Sequence, residues 1–161
     1  GFEESYGYLT GSYVRDKDGV NGAYMICEMF SYYATRGISL LDKLDELYRT
    51  YGYCLNTLHS YEFDGSAGFA KMQRIMEAFR SGMKAFGGRK VVKLLDYAPG
   101  LDGLPKSDVL KFLLEDNCSI VVRPSGTEPK LKTYISVSAE SRESAEKIET
   151  EIRRSAETCL K

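Results

Sequence analysis

Neither sign of charge dominates this sequence: 22 Lys and Arg stand against 23 Asp and Glu, a formal net charge of -1. Proteins that coat nucleic acid or anionic lipid carry a bulk positive field, so that class is disfavoured and any anion site must be local. No run approaches the ~20 consecutive apolar residues that cross a bilayer, and no basic-then-apolar leader opens the chain. A cytoplasmic location away from membranes is therefore expected. With 43% hydrophobic and 28% charged residues and only 4 Pro, disorder is excluded as the main state. Cys27, Cys54, Cys118 and Cys159 form no CxxC pair, which argues against a zinc ribbon or a thioredoxin-type redox motif and for reduced structural thiols. The single histidine, His59, has no acid or cysteine at catalytic spacing and is expected to be structural.

What remains is a chain of 161 residues, enough for one domain or two small ones. It begins at Gly1 without Met, which suggests a piece of a longer protein. Asp18 is placed to cap a helix starting near Val20 or Asn21, with Ile26, Met29, Phe30, Tyr33 and Ala34 at helical spacing and Gly37 at its end. Ser39 can cap a second helix whose stripe is Leu40, Leu41, Leu44, Leu47, Tyr48 and Tyr51. At 53–63 the pattern changes to a strand, so a domain boundary is expected near Gly52, giving domains 1–52 and 53–161. A helix opening at Ser66 or Gly68 and closing before Gly87 and Gly88 follows, then strands at 91–96, 109–114, 119–122 and 131–137. Residues 97–107, with Pro99, Gly100, Gly103 and Pro105, read as a loop, and Glu115, Asp116 and Asn117 as a hairpin turn. Ser141 caps a last helix with Ala145, Ile148, Ile152, Ala156 and Cys159 on its buried face; its charged residues, Glu149 among them, read as a solvated face. The fold class is α+β, a mostly antiparallel sheet with helices on one side.

The segment richest in chemistry is RPSGTEPK at 123–130, between two predicted strands. Arg123, Ser125, Thr127 and Lys130 supply a guanidinium, two hydroxyls and an ammonium, and Gly126 lets a ligand approach the backbone. That set suits a tetrahedral dianion, gripped bidentately by Arg and wrapped by hydroxyls and amides. A charged hairpin turn has the same composition. In GFEESYGY at 1–8, Glu3, Glu4 and Ser5 between glycines could accept hydrogen bonds from sugar hydroxyls, or could form a solvated turn.

Four segments in order, GFEESYG, VRDKDG, LPKSDVLKF (104–112) and RPSGTEPKLK, resemble the C-terminal part of the α-D-phosphohexomutase superfamily, the phosphoglucomutases and phosphomannomutases, in particular the bacterial branch whose sugar loop reads GFEES. The resemblance implies a four-domain enzyme that interconverts hexose 1-phosphate and hexose 6-phosphate, glucose preferred and mannose possible, through a bisphosphate intermediate. It implies that 1–52 closes the sugar-binding third domain and that 53–161 is a TATA-box-binding-protein-like fourth domain carrying the phosphate loop. By the same resemblance Glu3, Ser5 and Lys17 touch the sugar, and Arg123, Ser125, Gly126 and Thr127, with Lys132 in support, hold phosphate. No catalytic serine loop or acidic metal loop is found here, since Asp16 and Asp18 flank a lysine. The implied Mg2+ would bind outside this chain, glucose 1,6-bisphosphate would be intermediate and activator, and the piece alone is expected to be inactive. The implied partners are hexose phosphate and the remaining domains of the same polypeptide, with no nucleic acid. The alternative is a stand-alone phosphate- or nucleic-acid-binding module of the same fold.

Overall fold

The computed structural model describes residues 1–3, 7–126 and 128–160. They fall into two compact units, Gly1–Thr50 and Tyr51–Lys161.

In the first unit a short antiparallel pair, β1 (Phe2–Glu3) and β2 (Gly7–Tyr8), precedes α1 (Gly19–Ala34) and α2 (Leu40–Tyr51). Asp18 caps α1 as expected, its carboxylate accepting from the amides of Val20 and Asn21. Gly37, at φ +69°, closes the helix: its own N–H and that of Ile38 reach back to the carbonyls of Ala34 and Tyr33. Ser39 and Asp42 cap α2 reciprocally, the Ser39 hydroxyl accepting from the Asp42 amide and donating to the Asp42 carboxylate. That hydroxyl, with the Ser39 amide, holds the Asp42 carboxyl below its ordinary range. The apolar stripes find little cover here. Gly22 is the only buried residue of α1, α2 has none, and Phe30, Leu41 and Tyr51 are exposed. The helical period did identify the helices, but within this unit their apolar faces stay largely uncovered.

The second unit is an antiparallel sheet of six strands in the order β3 (Tyr53–Glu62), β8 (Lys130–Ala139), β7 (Ser119–Pro124), β6 (Leu110–Leu114), β5 (Arg89–Asp96), β4 (Ala85–Phe86). Strict alternation puts Leu131, Thr133, Ile135 and Val137 of β8 inside and leaves their neighbours on an open face. Two helices cover the inner face: α3 (Gly65–Gly82), through Met72, Ile75, Met76 and Phe79, and α4 (Arg142–Glu157), through Ala145, Glu149, Ile152 and Ala156. Phe79, Phe86 and Phe112 are fully buried and meet ring to ring at 5.0–6.4 Å in the centre of this core. The α+β class with helices on one side holds.

Three local expectations need correction. The α3 helix begins at Gly65, earlier than either Ser66 or Gly68, and ends at Gly82. That leaves room for β4, whose residues turn back at once through Gly87 and Gly88, both at positive φ, into β5. The glycine pair thus marks a two-residue hairpin. Third, Glu149 is buried and not part of a solvated face: its carboxylate lies 2.6 Å from Nε2 of His59 and accepts from the Thr57 hydroxyl at 2.9 Å. His59 does have an acid partner, separated by ninety positions in sequence. The expected turn at Asp116 and Asn117 forms, both at positive φ, joining β6 to β7.

Candidate functional site

The RPSGTEPK segment is the tip of the β7–β8 hairpin, with Arg123 and Pro124 closing β7 and Lys130 opening β8. The Ser125 amide donates to the Lys130 carbonyl at 2.7 Å, the Lys130 amide to the Glu128 carbonyl at 2.7 Å, and the Phe63 amide to the Pro129 carbonyl at 2.8 Å, so the turn is tied to the end of β3 as well as to its own strands.

Arg123 and Lys132 stand directly opposite one another in the β7–β8 register, with Ser60 of β3 opposite Lys132 on the other side. By strand alternation all three lie on the open face. Among the described residues neither Arg123 nor Lys132 has an ion-pair or hydrogen-bond partner for its side chain. Like charges placed directly across a ladder are unfavourable unless an anion lies between them. Gly126 is not at positive φ, and a Cβ there would meet open space, so the fold itself does not require glycine. Ser125 is half-buried beside it. Lys130, in contrast, is taken up by Glu128 at 3.1 Å and Glu62 at 3.3 Å, which raise its pKa. Thr127 lies outside the described residues.

In the first unit the structure brings Glu3 and Lys17 together as an ion pair. They line, with Gly1, Phe2, Gly7 and Leu9, an open cleft of about 360 Å³. A Cβ at Gly7 would press on both side chains, so a larger residue there would shift them. Ser5 lies outside the described residues. Asp16 and Asp18 are committed to local work, Asp16 to the Lys17 amide and Asp18 to the start of α1. Among the described residues no group of three or more His, Cys, Asp or Glu is placed to hold a metal ion. Among the described residues no helix is long and apolar enough to cross a membrane.

Sequence reasoning missed the register that sets Lys132 beside Arg123, and the Glu62 and Glu128 carboxylates that occupy Lys130. The first, and the approach of Glu62 to Lys130, needed strand pairing to be known; Glu128 alone could have been suspected from the EPK spacing.

Fold and turn together define an α+β domain with two opposed cations, unpaired among the described residues, beside a glycine-containing hairpin tip. Residues 64–155 match the family model described as phosphoglucomutase/phosphomannomutase, C-terminal domain. The chain belongs to that family. It is 39% identical over 148 residues to a phosphoglucomutase of Staphylococcus aureus (strain MSSA476), covering 84% of this chain and 27% of the relative. To a phosphoglucomutase of Staphylococcus epidermidis (strain ATCC 35984) it is 35% identical over 152 residues, covering 87% and 28%. Among solved structures the open form of the Paramecium phosphoprotein pp63/parafusin, a phosphoglucomutase, superposes with a TM-score of 0.57 at 19% identity over 92% of this chain and 27% of that one. That likeness speaks for the fold alone. The chain thus spans about a quarter of the length of the relatives it matches.

Proposed function

We propose that this chain is the substrate-binding C-terminal portion of a phosphohexomutase that interconverts hexose 1-phosphate and hexose 6-phosphate, with glucose as the preferred hexose. Residues 1–52 contribute the sugar contacts and 53–161 the phosphate anchor. The observation that carries the reading is the pair Arg123 and Lys132, opposed in register and unpaired among the described residues beside Ser125 and Gly126.

In such a reaction the phosphate at one end of the sugar is transferred while the other needs a fixed anchor. The Arg123 fork and the Lys132 ammonium hold that idle dianion, with Ser125, Gly126 and Thr127 wrapping its remaining oxygens. Glu3, with Ser5, accepts from sugar hydroxyls. Lys17, already paired with Glu3, orients that carboxylate and donates to the substrate. The chain's contribution is positioning, realised as proximity and not as bond making. Magnesium and the phosphorylated nucleophile belong to the parent outside these residues, so the 161-residue chain alone turns over no substrate.

Glucose 1-phosphate is titrated into the chain while the amide resonances of 123–132 are followed by NMR. Arg123→Ala removes a charge-assisted contact worth about 1.5 to 3 kcal/mol, a loss of affinity of roughly ten- to hundredfold. Unfolding should be nearly unaffected, because Arg123 is exposed. Unchanged affinity together with a large loss of stability would make Arg123 a structural residue and end the phosphate reading. Salt-dependent binding of DNA at micromolar concentration would favour the nucleic-acid module instead.

A further inference from the structure

Three cations crowd the hairpin tip, but they are not equivalent. Arg123 and Lys132 have no side-chain partner among the described residues, whereas Lys130 sits between the carboxylates of Glu128 and Glu62 at 3.1 and 3.3 Å. Those carboxylates come from different places. Glu62 ends β3 and faces Lys130 across the β3–β8 register, while Glu128 belongs to the distal limb of the turn. One ammonium therefore ties that limb to the neighbouring strand, at the level where the Phe63 amide also binds the Pro129 carbonyl. Both acids raise the pKa of Lys130, Glu128 most, so the ammonium stays charged and engaged.

Taking the phosphate reading above as its basis, we propose that Lys130 is a positioning residue for the anion turn and not a ligand of the anion. It acts through Glu62 and Glu128 in two ways. It cancels negative charge beside Arg123 and Lys132, and it fixes the limb whose backbone hydrogen bonds hold the Ser125 amide in place. Counting these five groups, the tip carries a net single positive charge with Lys130 and none without it. Its loss should therefore weaken a dianion although no contact to the dianion is lost. The deficit disappears when the two carboxylates are removed as well. A direct ligand would behave otherwise: its loss would weaken binding equally whether or not the acids were present.

The experiment is an NMR titration of inorganic phosphate into the 161-residue chain, comparing wild type, Lys130→Gln, the double variant E62Q/E128Q and the triple variant K130Q/E62Q/E128Q. K130Q should bind roughly three- to tenfold more weakly than wild type, the magnitude of one screened charge acting on a dianion. E62Q/E128Q should bind at least as tightly as wild type, and adding K130Q to that double variant should weaken it by less than about threefold. Lys130→Arg, which keeps the charge and can reach both acids, should bind like wild type. The proposal is overturned if K130Q binds as wild type does, or if K130Q weakens E62Q/E128Q as much as it weakens wild type. An Arg123→Ala control separates the two readings. Retention of phosphate binding by that control, or no binding by wild type, overturns the phosphate site and this role with it; loss in the control with an unchanged K130Q overturns only the role of Lys130.

Discussion

Removing the Glu149 carboxylate should loosen the last helix from the edge strand. Glu149 is 7% exposed, sits on α4, and reaches across to β3, where its Oε1 lies 2.6 Å from His59 Nε2 and 2.9 Å from Thr57 Oγ1. Arg153 approaches the same oxygen at 4.0 Å, too far for a strong bond. Each hydrogen bond to a charged group contributes about 1.5 to 3 kcal/mol. The imidazole, at 29% side-chain exposure, can recover some hydration once its partner is gone. Glu149→Ala should therefore cost about 2 to 4 kcal/mol, below the sum of two full contacts and near the lower end for a broken buried pair. In urea, with a slope of about 2 kcal/mol per molar, the unfolding midpoint should fall by roughly 1 to 2 M. Glu149→Gln keeps the shape and an acceptor and should cost about half as much. A double-mutant cycle of His59→Ala with Glu149→Ala should give a coupling of about 0.5 to 3 kcal/mol. Phosphate affinity at the hairpin tip should not change, because the cluster lies on the helix-covered face and Arg123 on the other. A cost below about 0.5 kcal/mol, or a cycle that closes with no coupling, would show that the contact does not stabilise the fold and that the reasoning from burial is wrong.

Further outcomes are expected elsewhere. Gly87→Ala should destabilise far more than Gly88→Ala, as chemical denaturation can check. Both glycines have positive φ, but a Cβ at 87 would lie 2.7 Å from backbone atoms of Glu151 and Ile152, whereas one at 88 meets open space; the strain at 88 alone costs about 1 kcal/mol. Phe79→Ala should cost about 3 to 5 kcal/mol by calorimetry, since the ring is fully buried against Phe86 and Phe112. Burial tends to raise the Asp96 carboxyl, but the Ala98 amide and the Arg80 guanidinium outweigh it and hold the pKa below the usual value. A depressed carboxylate stabilises the fold above its unfolded pKa and releases that stability as protons add, so stability should fall from about pH 4 downward. Arg80→Gln should lower stability at neutral pH and flatten the acid slope; parallel curves for the two proteins from pH 6 to 2 would contradict this.

Much of this protein was determined locally, and the sequence carried it. Asp18, Ser39 and Ser141 start helices through hydrogen bonds to amides two or three residues on, so their effect could be read without knowing the fold. Alternation along β8 likewise fixed which residues turn inward, and the RPSG composition announced a turn between two strands. What depended on distant pairing was not legible. The β4 strand is two residues long, too short for any period to show, and exists only because Gly87 and Gly88 turn it against β5. Glu149 follows the pattern of an exposed helical acid until β3 brings His59 and Thr57 beneath it. The division of labour among Arg123, Lys130 and Lys132 is of the same kind. All three are identical in formal charge along the chain, and strand register alone decides that Lys130 meets Glu62 while Lys132 meets Arg123. Electrostatic roles depend on which charges lie within a few ångströms, and that distance is set by tertiary pairing and not by sequence neighbours.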